Sequence, residues 1–128
     1  MRALHQAMRQ GLVRACHDLS EGGLAVSAAE MCIAGRLGMQ LDLVALPRAT
    51  GVESDAVALF AESSARFLAE VAPSDVSTFE QALAGHPCTR LGRVTEDGFF
   101  RVSGFEDQAV LVCRVDDLRR AWQSVEIV

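Results

Sequence analysis

Residues 22–34 read GGLAVSAAEMCIA. At helical spacing Leu24, Ala28, Met31 and Cys32 form one apolar stripe, and Val26, Ala29 and Ile33 form a second. A helix that is apolar on two stripes has to be buried on more than one side. The rest of the chain must therefore supply covering layers in two directions. Gly35 is placed to stop this helix.

The flanking segments read as those layers. Leu4, Met8 and Leu12 share one face of a short N-terminal helix that Gly11 ends. LVRACH reads as a strand leading into the long helix, and MQLDLVAL as a strand with Met39, Leu41 and Leu43 on one face. Pro47 to Gly51 reads as a turn, VESDAVALFA as a short helix, and ARFLAEV as a strand that groups Phe67, Ala69 and Val71. Pro73 and Ser74 open a helix striped by Val76, Phe79 and Leu83. CTRLGRVT, GFFRVSG and QAVLVCRV are three further strands, the first two joined at the turn Glu96-Asp97-Gly98. Asp116 or Asp117 caps a last helix with Leu118, Ala121 and Trp122. The pattern predicts an α/β (α+β) sandwich, a mixed sheet covered by helices. No repeat or linker divides the chain, so residues 1–128 are expected to form one domain.

Several function classes fall away on charge and composition. The net charge is −5, and Arg119-Arg120 is the only adjacent basic pair, which is unlike a nucleic-acid binder. No apolar run is long enough to span a membrane, and MRALHQAMRQG reads as an amphipathic helix without a signal-peptide cleavage site. Cys16, Cys32, Cys88 and Cys113 lie far apart in apolar settings with no metal-ligand spacing. They read as reduced, buried thiols of a cytoplasmic protein. Half the residues are apolar, and the excess points to self-association, such as a homodimer, or to apolar surface that another domain covers.

Two stretches carry the polar chemistry. In HDLSEGG, residues 17–23, a strand ends and a helix begins. Asp18 and Ser20 are good N-cap residues, Glu21 suits the positive end of a helix dipole, and Gly22 and Gly23 leave backbone N–H groups unobstructed. That combination is either a place where a phosphate sits, with His17 adding a proton-linked charge, or a capped helix start that packs closely on its sheet. In LFAESSARFLAEV, residues 59–71, Glu62, Ser63 and Ser64 precede a strand. They form either part of a ligand pocket or a turn bonded to its own backbone. His5 and His86 read as solvent-facing, and Asp42 and Glu70 as outward residues of alternating strands.

Taken together, GLVRACHDLSEGGLAVSAAEMCIAG, then LDL, LFAESSARFLAEV, LGRVTEDG and the terminal LRRAWQS resemble the phosphoribosylformylglycinamidine synthase family. The match is to the last domain of its small synthetase subunit, a PurM C-terminal domain-like fold, and it covers essentially the whole chain. The resemblance implies an ATP- and magnesium-dependent ligase of purine biosynthesis. That enzyme turns formylglycinamide ribonucleotide and glutamine-derived ammonia into the amidine, with a glutaminase subunit and a small accessory subunit as partners. It implies that His17, Asp18, Ser20, Gly22 and Gly23 border a nucleotide or phosphate, and that Glu62, Ser63 and Ser64 line a substrate or nucleotide pocket. Ser64 stands where the family's catalytic half has glutamine, which fits a non-catalytic half lining a structural nucleotide site. The family's nucleotide-handling domain has no counterpart here, and the chain contains no lysine. The chain alone is therefore expected to hold no cofactor or metal and to be inactive. The alternative is a free-standing, non-catalytic nucleotide- or phosphate-binding or interaction module of the same fold.

Overall fold

The computed structural model describes residues 1–46, 54–62 and 66–124. In chain order the elements are α1 (Arg2–Arg9), β1 (Ala15–Asp18), α2 (Gly23–Gly35), β2 (Gly38–Asp42), α3 (Asp55–Phe60), β3 (Phe67–Glu70), α4 (Val76–Ala82), β4 (Gly92–Thr95), β5 (Phe99–Ser103), β6 (Ala109–Arg114) and α5 (Val115–Gln123). The turn expected at Pro47 to Gly51 lies outside the described residues.

The helix expected to be buried on two sides is the centre of the fold. α2 touches α3 and α5 as well as strands β1, β2 and β3. Leu24, Ala28 and Cys32 pack in one cluster with Met39, Leu41, Phe100 and Val102. The second stripe is covered less completely than its composition suggests, because Val26 is exposed. A smaller cluster of Ala7, Leu12 and Phe79, with Leu4, Ala69 and Val71 against it, ties α1 and α4 to the other side of β1–β3.

The expected mixed sheet is present with four strands, and the other two strands form a separate pair. β1 and β3 make an antiparallel pair with His17 opposite Leu68, while the other four strands run in the order β4-β2-β5-β6. The larger sheet is mixed: β4 is antiparallel to β2, β5 is parallel to β2, and β6 is antiparallel to β5. The turn Glu96-Asp97-Gly98 therefore joins strands that are not neighbours, since β2 lies between them. The turn is held by its own aspartate. The Asp97 carboxylate accepts from Thr95 Oγ1 (2.8 Å) and from the Phe99 N–H (3.1 Å), and it pairs with Arg101. Gly38, at the start of β2, fits beneath it, where a Cβ would stand 2.5 Å from the Phe99 carbonyl.

Helix ends differ from expectation in three places. Gly35 is the last residue of α2, and Arg36 takes the left-handed position that normally favours glycine (φ 56°, ψ 35°). Asp116 and Asp117 lie inside the first turn of α5, where they suit the dipole, and neither caps it. Neither Asp18 nor Ser20 caps α2, whose N-cap is Gly22. Of the four free cysteines Cys32 is buried, but Cys88 is exposed, against the expectation that all are buried. His5 and His86 are exposed as expected.

Candidate functional site

The HDLSEGG stretch leaves β1 and enters α2, and the backbone makes the turn possible. Gly22 and Gly23 both have positive φ, 80° and 68°. At Gly23 a Cβ would lie 2.8 Å from the Ala61 carbonyl and 2.9 Å from the Leu59 carbonyl. The start of α2 is thus pressed against the end of α3 with no room for a side chain. That contact brings the two polar stretches together, because the Gly22 N–H donates to Glu62 Oε1 at 3.0 Å across forty residues of sequence. The donor left over at the helix start is paired with a carboxylate of the chain itself.

His17 sits on the face of β1 that looks toward α2. One ring nitrogen, Nδ1, is 2.7 Å from the Asp18 carbonyl, and Nε2 is 2.5 Å from Glu30 Oε2 on α2. Both partners are acceptors, so the protonated ring, a donor at both nitrogens, is favoured. The Asp18 carbonyl and then the Glu30 carboxylate hold the His17 pKa above its ordinary value. The Asp18 carbonyl also accepts from Ser27 Oγ at 3.0 Å, and Ser27 is buried within α2.

The remaining site candidates are placed as follows. Asp18, Ser20 and Glu62 are exposed, and Gly23 is buried. The Ser20 carbonyl accepts from the Gly23 N–H at 3.4 Å. Glu21 lies before α2, exposed, and not in its first turn as expected. Ser63 and Ser64 lie outside the described residues. Glu62 meets the His17–Gly23 turn, but His17 itself is engaged with Glu30.

Sequence reasoning missed two members of this site, Glu30 and Ser27. Both had a signal. Glu30 is the only charged residue between Gly23 and Gly35, and a charge in a helix buried on two sides needs a partner. Ser27 is a hydroxyl at a core position and needs an acceptor for the same reason.

The rim of the site is acidic, with Asp18, Glu21 and Glu62 exposed around the helix start. Such a rim repels a bare anion and suits one that arrives with a divalent cation. Among the described residues, no group of three or more His, Cys, Asp or Glu side chains could hold a metal ion by itself. The site is thus an exposed acidic turn at the start of α2. Apolar surface flanks it: Val26 lies against Gly22, and Val57 and Phe60 face outward from α3, with Phe60 52% exposed.

A layered α+β domain with a glycine turn and an acidic rim at one end of its central helix is the class that fold and site define. Residues 1–104 match the family described as AIR synthase related protein, C-terminal domain, and the chain belongs to that family. It is 37% identical over 124 residues to the phosphoribosylformylglycinamidine synthase subunit PurL of Lactobacillus helveticus, covering 97% of this chain and 15% of that protein. Two solved structures of T. maritima PurL share the fold. The one complexed with FGAR has a TM-score of 0.81 at 24% identity, and the one complexed with ATP has 0.81 at 23%. Each superposition covers 92% of this chain and 20% of the solved chain. The chain thus spans about a sixth of the length of the curated relative it matches. Among the described residues no helix is long and apolar enough to cross a membrane.

Proposed function

We propose that this chain is the last domain of a phosphoribosylformylglycinamidine synthase of the PurL type, a single domain over residues 1–128. Its role there is to supply one wall of a nucleotide pocket whose other wall belongs to a different domain. The observation that carries this reading is the Gly22–Glu62 hydrogen bond. It joins the HDLSEGG and AESS stretches, which lie far apart in sequence, at a single helix start.

In the assembled enzyme the Gly22 N–H, which here donates to Glu62, would be the donor for a phosphate oxygen, and the Glu62 carboxylate would be the group to hold a magnesium carried by the nucleotide. When bound, that ion neutralises phosphate charge. His17, whose pKa is raised by the Asp18 carbonyl and then by Glu30, adds a proton-linked positive charge beside the turn. The exposed Val26, Val57 and Phe60 are the surface on which the covering domain rests. The reaction of the whole enzyme is the ATP-dependent conversion of formylglycinamide ribonucleotide and ammonia to the amidine in the cytoplasm. Glutaminase and accessory subunits are its partners, which accords with a relative named as a subunit. The isolated chain holds one wall only and has no turnover, because positioning of both reactants supplies much of such catalysis.

The test is a chimera in which the matching last domain of the L. helveticus subunit is replaced by this chain. Growth of a purine auxotroph lacking that subunit is the expected result. A chimera that folds and accumulates but leaves the strain auxotrophic overturns the reading, as does amidine formation by the chain alone.

A further inference from the structure

The far end of α2 carries a second site. With thirteen residues in the helix, it lies about 20 Å from the HDLSEGG turn. A cavity of about 240 Å³ opens there between the end of α2 and the first turn of α5, lined by Ile33, Arg36, Gly98, Val115, Asp116 and Arg119. We propose that this cavity binds a small oxyanion, a phosphate or a carboxylate, between the guanidinium groups of Arg36 and Arg119.

Four observations converge on it. The charged lining is two arginines and one aspartate, so a positive charge is left over. Asp116 Oδ1 stands 3.6 Å from a terminal nitrogen of Arg119, while Arg119 Nε is buried without a hydrogen-bond partner. A buried donor without an acceptor gains from any small rotation that gives it one, and a guanidinium that turns to offer Nε and a terminal nitrogen together binds an oxyanion bidentately. Among the described residues Arg36 is exposed and makes no ion pair. It also holds the left-handed backbone position that glycine would take at no cost, with Gly35 one residue too early to take it. The chain therefore keeps an arginine at the mouth of the cavity where a glycine would be more stable.

Size decides the ligand class. The cavity is smaller than the roughly 300–1,000 Å³ of a drug-sized ligand's pocket, and with two guanidinium groups in its lining it suits one small oxyanion. Asp116 opposes the ligand, which limits the affinity to the millimolar range (about 4 kcal/mol) and makes it salt-sensitive. The oxyanion comes either free in solution or as the carboxylate of an acidic side chain on a docked polypeptide.

The test titrates the full chain, followed by amide NMR at low salt, with inorganic phosphate in one arm and a short glutamate-rich peptide in the other. Saturable shifts at residues 36, 98 and 115–119 in either arm are expected, and the arm that saturates identifies the source. Arg36→Gly should weaken binding by about tenfold or more while its thermal midpoint stays level or rises, because the left-handed strain is relieved. A purely structural arginine would show the stability gain with no loss of binding. Arg119→Gln should weaken binding in the same way. No saturable shift in either arm, or equal binding by Arg36→Gly, overturns the proposal.

Discussion

Replacing Gly23 by alanine separates the cost of a left-handed backbone from the cost of a blocked contact. Gly11 and Gly23 both have positive φ, 76° and 68°, yet a Cβ at Gly11 meets nothing within 4 Å. At Gly23 the same atom falls 2.8–2.9 Å from three backbone atoms of Leu59, Phe60 and Ala61. The left-handed conformation costs an alanine about 1 kcal/mol, which is all that Gly11→Ala should lose. Gly23→Ala adds an overpacking cost of about 2 kcal/mol, because backbone cannot rotate out of the way as a side chain can. With an unfolding entropy of about 2.1 cal/mol/K per residue the two losses correspond to roughly 4 °C and 11 °C. Thermal denaturation followed by circular dichroism measures both. Midpoints within about 3 °C of one another would show that α2 does not bear on α3 as described.

Further outcomes follow from the polar contacts. Because the His17 pKa is raised in the folded state, its clamp on Glu30 stabilises the fold fully below the unfolded value, and that stabilisation fades as pH rises through the folded one. The midpoint difference between the parent chain and Glu30→Gln should accordingly be largest near pH 5.5 and shrink by pH 8.5; a difference that grows with pH would reverse the assignment. Asp97 is held down to about 2 by Arg101 first, then by the Phe99 N–H and Thr95, so its contribution is present above its ordinary value and lost as pH falls toward 2. Asp97→Asn should remove that acid-side loss, seen as a flatter melting profile between pH 4 and 2. Burial pushes the Cys32 thiol up to about 11 while Cys88 is exposed, so thiol labelling at pH 8 should modify Cys88 first and Cys32 last, with intact mass as the readout.

The layered plan was legible because α2 declares it: two apolar stripes on one helix demand cover on two sides, and that constraint alone places sheets around it. Local pattern carried less information about which strands pair. Glu96-Asp97-Gly98 has the composition of a hairpin turn, and nothing local reports that β2 is seated between the strands it joins. That arrangement depends on Gly38 fitting under the turn, a contact fifty-odd residues apart in sequence. The cap of α2 was misplaced for a related reason. Asp18 and Ser20 are the nearest good cappers, but two consecutive glycines of positive φ swing the helix start past them and toward Glu62. Long-range partners of this kind follow from tertiary packing and leave no trace in spacing. Glu30 and Ser27 did leave one, as the polar residues of an otherwise apolar helix.

The central claim is that the turn at His17–Gly23, joined to Glu62, is a nucleotide-facing wall. Hydrogen exchange on the chimera that carries this chain as its last domain, with and without Mg-ATP, tests it most directly. The account predicts that nucleotide slows exchange at the amides of residues 20–24 and around Glu62, and that Gly23→Ala abolishes this protection. Nucleotide protection that appears elsewhere in the chimera and leaves residues 20–24 unchanged would contradict it.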